Sequence, residues 1–228
     1  MTDRQLTFEF DFRPALDREN FLVAPCNELA VQWLDRWPDW PSTAVCIHGP
    51  AGSGKTHLAH VWASSANAAI IEGPALGQDV SVQELAGRPV VIDNAHLVSD
   101  PVSLFHLYNM QRAAQQHILL IAPEPPASWG IGLPDLLSRL NTAQLAPIDI
   151  PDDELLMMIL IKQFSDRQIT VAMPVIRFLV ARMERSFDAA RRIVEALDQA
   201  GLAQGRAVTR KLAAEILAGQ PAEQGVRD

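Results

Sequence analysis

Residues 44–56 read Ala-Val-Cys-Ile-His-Gly-Pro-Ala-Gly-Ser-Gly-Lys-Thr, and the reading of this stretch decides the fold. Gly49-Pro50-Ala51-Gly52-Ser53-Gly54-Lys55-Thr56 has the G-x-x-x-x-G-K-[ST] spacing of a phosphate-binding loop. The apolar run before it, Ala44–His48, suits a buried strand. After it, Leu58, Val61, Trp62 and Ser65 recur at helical spacing. Strand, loop and helix in that order are the context the motif requires. Glycines let successive backbone N–H groups turn toward a phosphate, and the helix N-terminus adds partial positive charge. Lys55 would reach the β- and γ-phosphates and Thr56 would ligate Mg²⁺, so this stretch predicts a nucleotide site.

Outward from the loop, five β-type runs alternate with helical patterns: Ala44–His48, Ala69–Glu72, Pro89–Asp93, His117–Ala122 and Ala143–Ile148. Near-continuous apolar strands such as Val90-Val91-Ile92 suit a parallel sheet covered on both faces. The alternation predicts a layered α/β domain with right-handed crossovers over 13–149. After Ile148 the pattern changes. Asp149-Ile150-Pro151-Asp152-Asp153-Glu154 reads as a hinge and a helix start, with acidic residues suited to a helix N-terminus. Helical runs are predicted at about 152–166, 174–185, 187–200 and 209–218, with Pro174 and Thr209 as starts and Gly201 and Gly219 as stops. These make a small all-helical lid over 150–219, with a polar, flexible tail over 220–228.

Composition narrows the function classes. The 228 residues are 48% hydrophobic and 20% charged, an ordinary globular balance, and the net charge of −8 argues against a large nucleic-acid surface. Sixteen of the nineteen basic residues are Arg; the lysines are Lys55, Lys162 and Lys211. No apolar run approaches membrane length and no signal core follows Met1-Thr2-Asp3-Arg4, so the expectation is a cytoplasmic protein with no membrane partner. Cys26 and Cys46 lack metal spacing and read as reduced thiols. His57 and His60 lie three apart on a helix, but no third ligand stands nearby. Trp33, Trp37 and Trp40, among Pro38, Pro41, Asp35 and Asp39, read as a packed helix end rather than a base-stacking platform. No nucleophile–base pair can be assembled from local sequence.

A second acidic motif sits in Arg88-Pro89-Val90-Val91-Ile92-Asp93, an apolar strand ending in aspartate. Asp93 would lie beside the phosphate loop at the carboxyl edge of the sheet and hold Mg²⁺ through water. The next position in ATPases of this layout is usually acidic, and here it is Asn94. An amide can orient a water but cannot take its proton. The strand Leu119-Leu120-Ile121 ends in Ala122-Pro123, with no hydrogen-bonding side chain. The site therefore reads as built for binding rather than rapid turnover. At the N-terminus, Arg4-Gln5-Leu6-Thr7-Phe8-Glu9-Phe10-Asp11-Phe12 alternates apolar and polar residues. That pattern fits an edge strand, or a linear peptide that docks in a groove on another protein.

Together these features resemble the AAA+ ATPases of the DnaA/Hda family, the bacterial replication-initiator group, over nearly the whole chain. Asn20-Phe21 followed by Asn27-Glu28-Leu29 is similar to the segment that cups the adenine there, and His57-Leu58 continues the loop as that family does. Leu107-Tyr108-Asn109 and Pro134-Asp135-Leu136-Leu137-Ser138-Arg139-Leu140 are similar to further segments of the group. The resemblance implies a P-loop NTPase fold with a five-stranded parallel sheet and a helical lid, and ADP or ATP with Mg²⁺ as cofactors. It implies Gly49–His57, Asp93, Asn20 and Phe21 at the nucleotide, with Thr56 and Asp93 at the metal. It also implies Arg139 as an arginine finger acting on a neighbouring subunit's ATP.

Gln5-Leu6-Thr7-Phe8-Glu9-Phe10 resembles the peptide with which a short member of the family binds the β sliding clamp of DNA polymerase III. Phe8 stands where leucine is usual; Gln5, Leu6, Phe8 and Phe10 of residues 1–12 would make that contact. The implied partners are this clamp and the initiator DnaA, with a homo-oligomer open. No recognition domain is expected after the lid, hence no direct sequence-specific DNA binding. The implied role is promoting hydrolysis of initiator-bound ATP, which prevents re-initiation of replication. A stand-alone ATPase such as a helicase loader, or a DNA-binding initiation factor, are the alternatives. Where the family carries a phosphate-sensing lid arginine, the alignment places Asp188, with Arg191 and Arg192 one turn later. Either arginine substitutes, the contact is lost, or the alignment slips by a turn.

Overall fold

The computed structural model describes residues 23–204 and 207–219. Five strands, β1 (Ala44–His48), β2 (Ala69–Glu72), β3 (Val90–Asp93), β4 (Ile118–Ala122) and β5 (Gln144–Pro147), form one sheet in the order β2-β3-β4-β1-β5. All four pairings are parallel. The strands follow the apolar runs to within a residue. Pro89 falls outside β3 because proline has no N–H for the ladder, yet its carbonyl still accepts from Ala69 N–H at 2.9 Å.

Alternating side chains of the buried strands feed two layers. Ala44, Cys46, Val90, Ile92, Ile118 and Leu120 pack on one face with Leu104, Leu107 and Tyr108 of α3 (Pro101–Ala113) and Leu136 of α4 (Pro134–Leu140). Val45, Ile47, Val91, Leu119 and Ile121 pack on the other with Val31 and Leu34 of α1 (Glu28–Asp35) and Leu58 and Trp62 of α2 (Lys55–Ala66). Trp40 stacks on Trp62 at 5.1 Å between ring centres, and Trp37 meets the same ring edge-on at 6.0 Å. These tryptophans close the core, as their spacing predicts. Cys46 lies in the same sheet, where burial pushes its thiol up to about 12.

The lid consists of α5 (Asp153–Asp166), α6 (Met173–Val180), α7 (Phe187–Gln204) and α8 (Arg210–Gly219). Leu156, Leu160, Phe164, Ile176, Leu179, Ile193, Leu197 and Leu212 form its own apolar cluster, which Ala24 joins from the other end of the chain. Asp149 N–H donates to the Cys26 carbonyl at 2.8 Å, so the lead-in segment braces the hinge. Asp152 caps α5 by accepting from Leu155 N–H at 2.8 Å.

Two helix ends differ from the sequence reading. α6 stops at Val180 rather than 185; past it, Arg182 N–H turns back to the Leu179 carbonyl in a tighter i→i−3 turn. α7 continues through Gly201 to Gln204: glycine ends a helix where the chain turns left-handed, and Gly201 stays helical. Among the described residues no helix is long and apolar enough to cross a membrane.

Trp62→Ala removes the ring on which Trp37 and Trp40 both pack. The expected loss is about 3–5 kcal/mol of unfolding free energy. Urea denaturation checks it, and a change below about 1 kcal/mol would show that this cluster is dispensable.

Candidate functional site

The phosphate loop joins β1 to α2 at the carboxyl edge of the sheet, where ligands bind in open α/β folds. Its shape is imposed by glycine. Gly52 has φ +68°, and a Cβ there would come within 3.0 Å of the Asp188 Cβ and 3.2 Å of the Ser186 Cβ. The Gly49 N–H donates to the Pro123 carbonyl at 3.1 Å, which ties the loop to the end of β4. Lys55 Nζ donates to the carbonyls of Gly49 at 2.8 Å and Pro50 at 2.7 Å. Burial lowers the Lys55 pKa, and the Asp93 carboxylate opposes that shift.

Thr56 Oγ1 donates to Asp93 Oδ2 at 2.9 Å, and Asn94 N–H donates to Asp93 Oδ1 at 2.8 Å. The two residues assigned to the metal are thus adjacent, a hydroxyl and a carboxylate, which is the hard oxygen pair that Mg²⁺ takes beside nucleotide phosphates. Among the described residues no three His, Cys, Asp or Glu side chains converge on a metal position.

A cavity of about 710 Å³ opens between the loop and the lid. The loop side contributes Gly52, Ser53, Gly54, Lys55, Thr56 and His57. Burial lowers the His57 pKa, and His60 adds to the effect. The lid side contributes Ile159, Lys162, Gln163 and Asp166 from α5, with Lys162 paired to Asp166 at 3.1 Å, and Phe187, Asp188 and Arg191 from α7. Phe187 N–H donates to the Gly52 carbonyl at 3.0 Å, a direct backbone bond between lid and loop.

Asp188 is paired with both arginines that follow it on α7. Its carboxylate accepts from Arg191 Nη2 at 2.7 Å and from Arg192 Nη1 at 2.6 Å. Arg191 lines the cavity, whereas Arg192 also reaches Glu184 at 3.3 Å. The acidic side chain is thus neutralised by two cations, one of them aimed along the cavity wall.

The remaining expectations divide cleanly. Asp93 is coupled to the cavity through Thr56, and Pro50 and Ala51 lie exposed at the loop tip. Asn20, Phe21, Gln5, Leu6, Phe8 and Phe10 lie outside the described residues. Ala122 is buried, and no side chain there points to the loop with a polar group. Arg139 does not line the cavity; its guanidinium lies 5.0 Å from the Phe105 ring centre and 6.0 Å from that of Tyr108.

Two residues escaped the sequence reading. Glu72, at the end of β2, accepts from Asn94 Nδ2 at 3.0 Å and so brings a carboxylate beside Asp93. Lys162 brings a lid cation; a lysine among the apolar residues of α5 was the available signal.

The fold has known counterparts. Domain III of the Thermotoga maritima replication initiation protein DnaA superposes with a TM-score of 0.78 at 20% identity, covering 88% of this chain and 94% of that one. AMPPCP-bound DnaA from Aquifex aeolicus gives 0.71 at 18% identity, over 84% of this chain and 68% of that one. RuvB of Thermotoga maritima, a Holliday junction branch migration motor, gives 0.66 at 18% identity, over 77% and 61%. No family model matches the chain. The chain has the AAA+ domain fold, in the form seen in DnaA domain III and RuvB.

Asp188→Asn removes a negative charge from the cavity wall and releases Arg191. Titration with a fluorescent ATP or ADP analogue should show affinity rising several-fold, on the order of 1 kcal/mol for a partly solvent-screened charge. Unchanged or weaker affinity would mean that Asp188 orients Arg191 rather than opposing the phosphates.

Proposed function

We propose that the chain is an Hda-type regulator: a replication-related AAA+ protein that binds ADP or ATP with Mg²⁺ and acts on the nucleotide of another AAA+ protein. In this reading Gly49–Thr56 and Asp93 hold its own nucleotide as a conformational support. Gln5, Leu6, Phe8 and Phe10 dock it on the β sliding clamp. Arg139 is presented to ATP on the initiator DnaA, whose hydrolysis prevents re-initiation.

The observation that carries the reading is the separation of Arg139 from the chain's own cavity. The guanidinium rests on Phe105 and Tyr108 of α3, and the Arg139 carbonyl accepts from Thr142 Oγ1 at 2.6 Å. A cation held there is available to a partner and not to the loop at Gly49–Thr56. Aimed at a partner's γ-phosphate, it would stabilise charge on the transferring group by about 10³–10⁵ in rate. Asn94 agrees, since it takes the position of a general base without the ability to accept a proton.

Glu72 favours a second reading, a self-sufficient ATPase. Its carboxylate lies across Asn94 at 3.0 Å and could take over the missing base. Brisk ATP turnover by the purified protein, abolished by Glu72→Gln, would establish it.

The test of the first reading combines DnaA·ATP, DNA-loaded clamp and this protein, and follows initiator-bound ATP. Stimulated hydrolysis is expected, falling roughly 10³-fold in Arg139→Ala and sharply in Gln5→Ala/Leu6→Ala. Full activity in both variants would rule the mechanism out.

A further inference from the structure

The lid carries a second arginine arrangement, far from the phosphate loop in sequence and unused by the proposed mechanism. Arg182 lies 4.3 Å from the centre of the Phe178 ring, and Arg210 lies 4.8 Å from the same centre. Two guanidiniums thus converge on one half-buried ring where α6 meets the start of α8. Neither makes an ion pair with a described residue. The carboxylate nearest Arg182 in sequence, Glu184, is taken by Arg192 at 3.3 Å, and Arg185 is taken by Asp153 at 2.8 Å.

The composition around the pair is equally one-sided. Residues 168–183 contain Arg177 and Arg182 and no acidic residue; residues 207–214 contain Arg210 and Lys211 and no acidic residue. All four cations are exposed. In a chain of net charge −8 this is a local inversion of sign. A ring holds a guanidinium by its quadrupole without cancelling the charge, so the pair keeps its full attraction for an anion.

We infer that this α6–α8 face of the lid is a phosphate-binding surface for the backbone of nucleic acid, contacted without regard to sequence. Guanidinium forks match the paired oxygens of a phosphodiester, and phosphate contacts of this kind position a protein without reading bases. A protein partner fits less well. Interfaces between proteins centre on exposed aromatic or apolar anchors depleted of charge, whereas here the aromatic ring is covered by two cations. Two ring-held cations make a small surface, which agrees with the overall acidity and implies weak, salt-sensitive binding. The inference is independent of the proposed role of Arg139.

Fluorescence anisotropy of the full chain with a short labelled DNA duplex, and with the matching single strand, tests it across a salt series. Binding is expected at low salt. Arg182→Gln/Arg210→Gln should weaken it and reduce the slope of log affinity against log salt by about 2, one unit per lost phosphate contact. Arg182→Lys/Arg210→Lys should retain most of that slope, and Arg36→Gln on the opposite domain should leave it unchanged. Thermal melting confirms that each variant is folded. The inference is overturned if the Gln variant binds as the wild type does, or if the wild type binds no DNA at low salt. Binding only to anionic lipid vesicles or to polyglutamate would overturn it equally.

Discussion

A backbone hydrogen bond of 3.0 Å, from Phe187 N–H to the Gly52 carbonyl, joins the lid to the phosphate loop, and the shape of the cavity depends on it. The bond requires the loop to turn left-handed at Gly52 and the lid to come close enough that any Cβ there would press on Ser186 and Asp188. Ser186 is in turn buried, and its Oγ accepts from Ala189 N–H at 3.1 Å to start α7. The break between α6 and α7 at 181–186 follows from this geometry. One contact thus sets the loop's conformation, the start of α7, and the position of Asp188 and Arg191 on the cavity wall.

At the opposite wall the polar groups on the strand ends are spent on holding the loop in place. The Pro123 carbonyl takes Gly49 N–H, and Asp93 takes both the Thr56 hydroxyl and Asn94 N–H. Asn94 sits in the left-handed region at φ +53°, a conformation that Asn tolerates better than most residues. Its amide is then directed to Glu72. A carboxylate at position 94 would face Glu72 across the same gap, two like charges at hydrogen-bond distance. The amide avoids that repulsion, which gives Asn94 a structural reason alongside its chemical consequence.

Much of this was legible in the sequence. The strands were, because β3, β4 and most of β1 are buried on both faces and so read as unbroken apolar runs. The loop was, because its glycines and Lys-Thr pair are a local pattern. Helix ends in the lid were less so: Ala181-Arg182-Met183-Glu184-Arg185 contains only good helix formers, and what stops α6 is the reach to Gly52, more than a hundred residues away in the chain. The pairings of Asn94 with Glu72 and of Lys162 with the loop cavity are tertiary in the same way. Asp188 was legible as a departure, but its neutralisation depends on two rotamers that no spacing rule fixes.

Two physical classes of arginine are present among the described residues, one paired to carboxylates and one held over aromatic rings. Arg191, on the cavity wall, is paired to a carboxylate at 2.7 Å, as are Arg192 at 2.6 Å, Arg185 at 2.8 Å and Arg167 at 3.8 Å. Arg139, Arg182 and Arg210, directed away from it, are held over aromatic rings at 4.3–5.0 Å from their nearest ring centres. A carboxylate partner cancels the charge it holds, whereas a ring fixes the side chain for about 0.5–1 kcal/mol at an exposed site and leaves the charge intact. Lysine would serve the second class poorly, because its ammonium is more strongly hydrated and lacks a flat face to lie on the ring.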